Sequence, residues 1–133
     1  MGTVPLLSDD AVSAEALAVF DDIRKVRGTE YINNFWRALA HDPALLKATW
    51  ERLKDVMAPG ALDPLVKEML YVAVSTANGC SYCVHSHTAA AKAKGMTPEM
   101  QGELLAVIGM AMQTNGLVTA LQTPVDDMFE AEP

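Results

Sequence analysis

The sequence predicts an all-α fold, on three observations. Half of the 133 residues are hydrophobic but only 6% are aromatic, and Ala, Leu, Val and Met carry most of the apolar content, a mixture that suits helices better than strands. Apolar residues return every three or four positions in one segment after another. Finally, Asp42-Pro43, Asp63-Pro64 and Thr97-Pro98 each place a capping side chain before a proline, and proline fits the first helical position.

Taken in order, a short extended lead-in precedes a first helix over 12–27, with apolar residues at 12, 16, 17, 19, 20, 23 and 26, Ser13 as a cap and Gly28 as a stop. A second, shorter helix is expected over 31–40. The third starts at Asp42-Pro43, repeats Leu45, Leu46, Trp50, Leu53, Val56 and Met57 at helical spacing, and ends at Ala58-Pro59-Gly60. Asp63-Pro64 opens the fourth, LVKEMLYVAVSTA over 65–77, which is apolar over most of its circumference. Such a helix is buried on several sides, within a domain or between subunits, so an oligomer is expected. Asn78-Gly79 ends it, and a fifth helix runs from Cys80 to Lys94, where Gly95 stops it. Thr97-Pro98 opens a sixth, with Leu104, Leu105, Val107 and Ile108 facing inward, and a seventh is expected over 115–121 before Pro124. The tail DDMFEAEP is expected to fray. With no repeat, low-complexity run or linker, residues 1–133 read as one domain of six or seven helices.

At this length a core forms without metal or disulfide staples. The opening MGTVPLLSDDAVSAE has neither the basic nor the apolar region of a secretory signal, and position 6 is Leu where myristoylation requires Ser or Thr. Every apolar run is interrupted by Asp, Lys, Glu or Gly, so no membrane span and a cytoplasmic location are expected. A net charge of −7 argues against nucleic-acid binding, which needs a basic surface to displace counterions.

Both cysteines and two of the three histidines fall within GCSYCVHSH, residues 79–87. In a reducing cytosol a close cysteine pair serves catalysis or metal binding more often than structure. On a helix, Cys80, Cys83 and His87 share a face, whereas His85 lies about 200° from Cys83. Thiols three residues apart have β-carbons roughly 5 to 6 Å apart, a little beyond a relaxed disulfide, so the pair can open and close. The helix N-terminus favours thiolate. His87, one turn beyond Cys83, is placed to take a thiol proton directly or through a water. Glu68 lies at the edge of the apolar arc of the preceding helix, where a carboxylate is costly without a partner. The tight Asn-Gly turn sends the two helices back antiparallel, which makes Glu68 an orienter or final proton acceptor for His87.

The rival readings are plainer. Zinc needs four ligands; Cys80, Cys83 and His87 give three, Glu68 or His85 would have to be the fourth, and no second ligand pair follows downstream. A thioredoxin-like reading of MLYVAV before CxxC lacks the remaining strands. His41 reads as a cation at a helix end, His85 as a surface or interface residue, and Trp36, Trp50 and the methionines as core or interface filler.

Glu68, eleven residues, Cys80-Ser-Tyr-Cys83, three residues and His87, followed by an Ala-rich turn and Gly95-Met-Thr, resembles the signature of the carboxymuconolactone decarboxylase superfamily, in its alkylhydroperoxidase AhpD-like branch. The likeness is strongest over 60–100, and FWRALAHDPALLKATWERLKDVM is similar to the helical lead-in of peroxidase-related members. The resemblance implies an all-α trimer or hexamer that reduces organic hydroperoxides or hydrogen peroxide without haem or metal. It implies Cys83 as the peroxidatic thiol, Cys80 as the thiol that closes the disulfide, Glu68 and His87 as a proton relay, and an external dithiol or lipoyl-type reductant in place of a bound cofactor. One departure is Tyr82, which stands where AhpD has a His between its cysteines, and it implies a shorter relay. Members acting as decarboxylases generally lack the CxxC pair, which leaves a lyase as the enzymatic alternative. A non-enzymatic thiol switch or zinc-bound interaction module is the alternative of another class.

Overall fold

The computed structural model describes residues 2–130, and among these it holds six α-helices and one short 3-10 turn, with no strand. The all-α expectation is met. The chain divides into two compact units, Met1–Ala58 and Pro59–Pro133.

The first unit contains α1 (Ala14–Arg27), α2 (Asn34–Leu39) and α3 (Pro43–Met57). The caps read from the sequence set these boundaries. Ser13 Oγ accepts the Ala16 N–H at 3.1 Å, so α1 starts two residues after the apolar pattern does. Asp42 Oδ1 accepts the Leu45 N–H at 3.0 Å, with Pro43 in the first turn. The second helix is shorter than expected because Asn33 is extended (φ −61°, ψ 148°) and Ile32, instead of being helical, is buried in the core. That core gathers Phe20, Ile23, Ile32, Trp36, Leu46 and Trp50. The two indoles meet edge to face at 5.6 Å, and Trp50 Nε1–H donates to Asp22 at 2.7 Å. Both tryptophans are core residues. His41, expected only as a cation at a helix end, has Nε2 2.8 Å from the Pro5 carbonyl. Trp36→Ala should destabilise this unit by about 3–5 kcal/mol through lost burial and the cavity left behind, read as a lowered urea midpoint.

The second unit contains α4 (Pro64–Ala77), α5 (Ser81–Ala93), α6 (Pro98–Leu121) and the 3-10 turn Asp127–Phe129. Asp63 and Thr97 cap as expected, accepting from Leu65 N–H at 2.8 Å and Met100 N–H at 3.1 Å. α4 and α5 pack along each other as an antiparallel pair, with α6 against α4. The connection is a Schellman turn: Gly79 N–H donates to Thr76 O at 3.1 Å and Cys80 N–H to Ser75 O at 2.9 Å. Gly79 has φ +70°, a conformation natural to a residue without Cβ.

Three expectations need correction. The sixth and seventh helices are one helix of 24 residues, because Thr114 Oγ1 returns its hydrogen bonds to the Met110 and Ala111 carbonyls and no proline breaks the 114–116 stretch. In α6, Leu105 and Val107 do not face inward but are exposed at 58% and 66%; in a helix apolar on every side, periodicity does not select a face. With its acids confined to the first turns at Glu99 and Glu103, α6 is long and apolar enough to cross a membrane by length and composition alone, its apolar run interrupted by Gly102, Gly109 and Gly116 as the sequence reading has it. In α4 one stripe is buried, Glu68, Val72 and Ser75, while Val66, Leu70 and Val74 are exposed. Most of the tail expected to fray is described, with Asp127–Phe129 as a 3-10 turn; its last three residues lie outside the described residues.

Candidate active site

Cys80 is not inside α5 but caps it. Its backbone is non-helical (φ −86°, ψ 87°), and its sulfur takes the N-cap role, accepting the Cys83 N–H at 3.4 Å. Both cysteines are free and half-buried, and their side chains are hydrogen-bonded to each other. The Cys83 thiol hydrogen is therefore directed at the Cys80 sulfur. The bonds from the Cys83 thiol and then from its N–H pull the Cys80 thiol below the usual cysteine value, against a small opposing effect of burial. Cys83, as the donor to Cys80 and more buried, is pushed up to about 11, although a hydrogen bond from Ser75 favours its thiolate. Negative charge in the resting pair thus sits first on Cys80, the sulfur nearer the helix terminus. Iodoacetamide at neutral pH should label Cys80 at least about tenfold faster than Cys83, measured by peptide mass mapping, because only the thiolate is nucleophilic.

Ser75 went unrecognised in the sequence. It is 5% exposed, its carbonyl holds the Cys80 N–H and its hydroxyl bonds Cys83, so one residue of α4 ties down both cysteines.

Glu68 and His87 meet as the antiparallel hairpin predicts. His87 Nδ1 lies 2.7 Å from Glu68 Oε2, and Glu68 is 4% exposed. Its other oxygen is also taken: Lys94 Nζ lies 2.9 Å from Oε1. Burial raises the Glu68 carboxyl, but the hydrogen bonds and charges of His87 and Lys94 outweigh it and hold it below the usual carboxylate range. A carboxylate can only accept, so the hydrogen of this bond is on Nδ1 and the neutral ring has Nε2 as its basic atom. Tyr71 stacks on the imidazole at 3.6 Å between ring centres, 18° from parallel, and fixes the ring plane. Burial, followed by the nearby charges of Cys83, Cys80 and Glu68, raises the Tyr71 phenol, so it stays protonated.

His87 Nδ1 is turned toward Glu68, and His87 follows Cys83 by one turn of α5. His85 lies away from this group, exposed, with Nδ1 2.8 Å from the Ser81 carbonyl of its own helix. Tyr82, between the cysteines, is 46% exposed. Among the described residues no three His, Cys, Asp or Glu side chains gather as metal ligands would. Tyr71 and Lys94 were also missed. Lys94 lies on the helical face of Cys83 and His87, and extending that face two more turns would have found it.

A helical chain with a paired dithiol at a helix start, and a buried carboxylate bonded to a histidine one turn further along that helix, defines a helical dithiol protein. The chain belongs to the carboxymuconolactone decarboxylase family, which matches residues 43–124. It is 63% identical to the alkylhydroperoxidase AhpD core of Rhodospirillum rubrum, whose crystal structure superimposes with a TM-score of 0.96 over 99% of each chain. It is 30% identical over 115 residues to the alkyl hydroperoxide reductase AhpD of Solibacter usitatus, a match that covers 86% of this chain and 63% of that protein. An uncharacterized protein of Cupriavidus necator is 34% identical over 83 residues, 62% of this chain and 74% of its own length.

Proposed function

We propose that the site reduces organic hydroperoxides or hydrogen peroxide through a Cys80–Cys83 dithiol–disulfide cycle in which His87 and Glu68 handle the proton. The observation that carries this reading is the hydrogen-bonded thiol pair one helical turn from an imidazole oriented by a buried carboxylate. The names of the Rhodospirillum and Solibacter relatives support it.

His87 Nε2, left basic by the Nδ1–Glu68 bond, takes the Cys83 thiol proton and leaves the anion on Cys83, a state the Ser75 hydroxyl favours. Cys83 thiolate then attacks the distal oxygen of the hydroperoxide. The O–O bond breaks, Cys83 becomes a sulfenic acid, and the departing alkoxide takes back from His87 the proton that Cys83 gave up and leaves as alcohol. Cys80, the sulfur that most readily ionises, attacks the Cys83 sulfur and forms the S–S bond, and the expelled hydroxide takes the Cys80 proton and leaves as water. Two thiols and one hydroperoxide give one disulfide, one alcohol and one water. An external dithiol of lipoyl type returns the electrons, so the cycle calls for no bound cofactor or metal.

In this scheme Glu68 is taken as an orienter in preference to a final proton acceptor, a choice supported by the engagement of both its oxygens and by the neighbours that favour its anion. Counting free thiols before and after one equivalent of cumene hydroperoxide, with metal content on the same sample, tests the reading. Loss of two thiols per chain, reversed by a dithiol, is expected. Unreactive thiols with one zinc per site would favour a zinc-bound module, and unreactive thiols with release of CO₂ from a carboxylated lactone would favour a lyase.

A homo-oligomer is proposed to cover the exposed apolar sides of α4 and α6. Gln113, Thr114 and Asn115 in the middle of α6 favour a protein partner over hydrocarbon, where polar side chains are costly.

A further inference from the structure

We propose that Lys94 is a positioning residue of the relay, holding the Glu68 carboxylate so that one oxygen faces His87 Nδ1 and Nε2 is left as the proton-accepting atom of the ring. The consequence for rate rests on the peroxidase reading; the consequence for the imidazole rests on the geometry of α4 and α5.

The fold places Lys94 deliberately. It is the C-cap of α5, where Gly95 N–H donates to Lys92 O and Met96 N–H to Ala91 O, each at 3.0 Å, with Gly95 at φ +101°. Ala91 and Met96 are both buried, the apolar contact that accompanies this kind of helix end. The backbone at Lys94 is therefore fixed, and its side chain runs back along the helix face of His87 to reach Glu68 Oε1 at 2.9 Å.

The two partners are not equally dependent. The Lys94 side chain is 39% exposed and keeps contact with water, whereas that of Glu68 is 6% exposed. Lysine is well solvated without the carboxylate, but the carboxylate relies on its cation. By engaging Oε1, Lys94 leaves Oε2 as the oxygen for His87, and its charge offsets part of the attraction Glu68 would otherwise exert on an imidazolium. The groups around His87 are Glu68 and the stacked Tyr71 from α4, Cys83 one turn back on its own helix, and Lys94 acting through Glu68. Of these, Lys94 is the one fixed cation. Without it, the imidazole is the only cation left to pair with Glu68, so it holds its proton to higher pH and the neutral base is lost from the acidic side of the working range.

The test is an NMR titration of the His87 ring protons in the wild type, Lys94→Met and Lys94→Arg, with the pH dependence of peroxide-driven thiol loss measured in parallel. In Lys94→Met the titration midpoint should move upward, and the rate should fall about fivefold or more at pH 6 while staying within about twofold of wild type at pH 8.5. Lys94→Arg should restore both. An unmoved midpoint, or a rate lowered by the same factor at every pH, would overturn the proposal, since that is what a merely structural ion pair gives. If Lys94→Met fails to fold, Lys94→Gln keeps a donor without the charge and gives the same readout. If the wild type does not lose thiols to peroxide, the peroxidase reading fails, and the titration alone decides the role of Lys94.

Discussion

Cys83→Ser is expected to lower peroxide-driven turnover by about three orders of magnitude or more, whereas Cys80→Ser should trap a sulfenic acid on Cys83. The two variants divide the proposed cycle at its covalent intermediate. With serine at 83, no sulfur bonds the Ser75 hydroxyl, so the group proposed to attack the peroxide is gone while Cys80 remains open to alkylation. With serine at 80, Cys83 loses its resolving partner. It also gives up its anionic hydrogen-bond acceptor, the largest influence raising its pKa, so the peroxide step itself should survive. Trapping with dimedone and peptide mass analysis reads both results. A sulfenate on Cys80 in the Cys83→Ser variant, with none on Cys83 in the Cys80→Ser variant, would reverse the roles.

His87→Ala should slow thiol oxidation by about 10²–10⁴-fold, the range ordinarily supplied by a positioned acid–base group. Glu68→Gln should act through the same ring. A neutral amide can present either its oxygen or its NH₂ to Nδ1, so it no longer dictates which imidazole nitrogen carries the hydrogen. A smaller loss than for His87→Ala is therefore expected, with kcat falling more than KM rises. The Tyr71 stack stays in place in Glu68→Gln, so the ring plane is held while its tautomer is released. Circular dichroism and thermal midpoints for the same variants separate loss of chemistry from loss of fold, a necessary control because Glu68 is buried and bonds α4 to α5 through His87 and Lys94. Equal effects of Glu68→Gln and a surface carboxylate change such as Glu103→Gln would remove Glu68 from the mechanism.

The parts of this site that were legible in the sequence are those fixed by local geometry. Asp42, Asp63 and Thr97 announced three helix starts, and each makes the predicted side-chain cap. Asn78-Gly79 announced the reversal that sets Glu68 opposite His87. A buried carboxylate in an apolar helix implied a partner, and two are present. What could not be read there depended on tertiary placement or on uniform sequence. Ser75 is an unremarkable polar residue until the Schellman turn brings both cysteines to it. Lys94 resembles any helix-end lysine until its side chain folds back onto Glu68. Cys80 was expected within the helix, but its sulfur competes for the Cys83 N–H and makes it the cap. In α6 the apolar residues lie on all sides, so neither its inward face nor its continuity through Thr114-Asn115-Gly116 was encoded in a period.

The most direct test of the central claim is multiple-turnover consumption of cumene hydroperoxide by the wild-type chain with dihydrolipoamide as the only electron donor, followed by intact mass of the protein during turnover. The account predicts many molecules of peroxide reduced per chain and a steady-state species two mass units below the reduced protein, mapped to a Cys80–Cys83 disulfide. Peroxide consumption that persists in the double Cys→Ser variant, or a wild-type dithiol that stays reduced while peroxide accumulates unreacted, would contradict it.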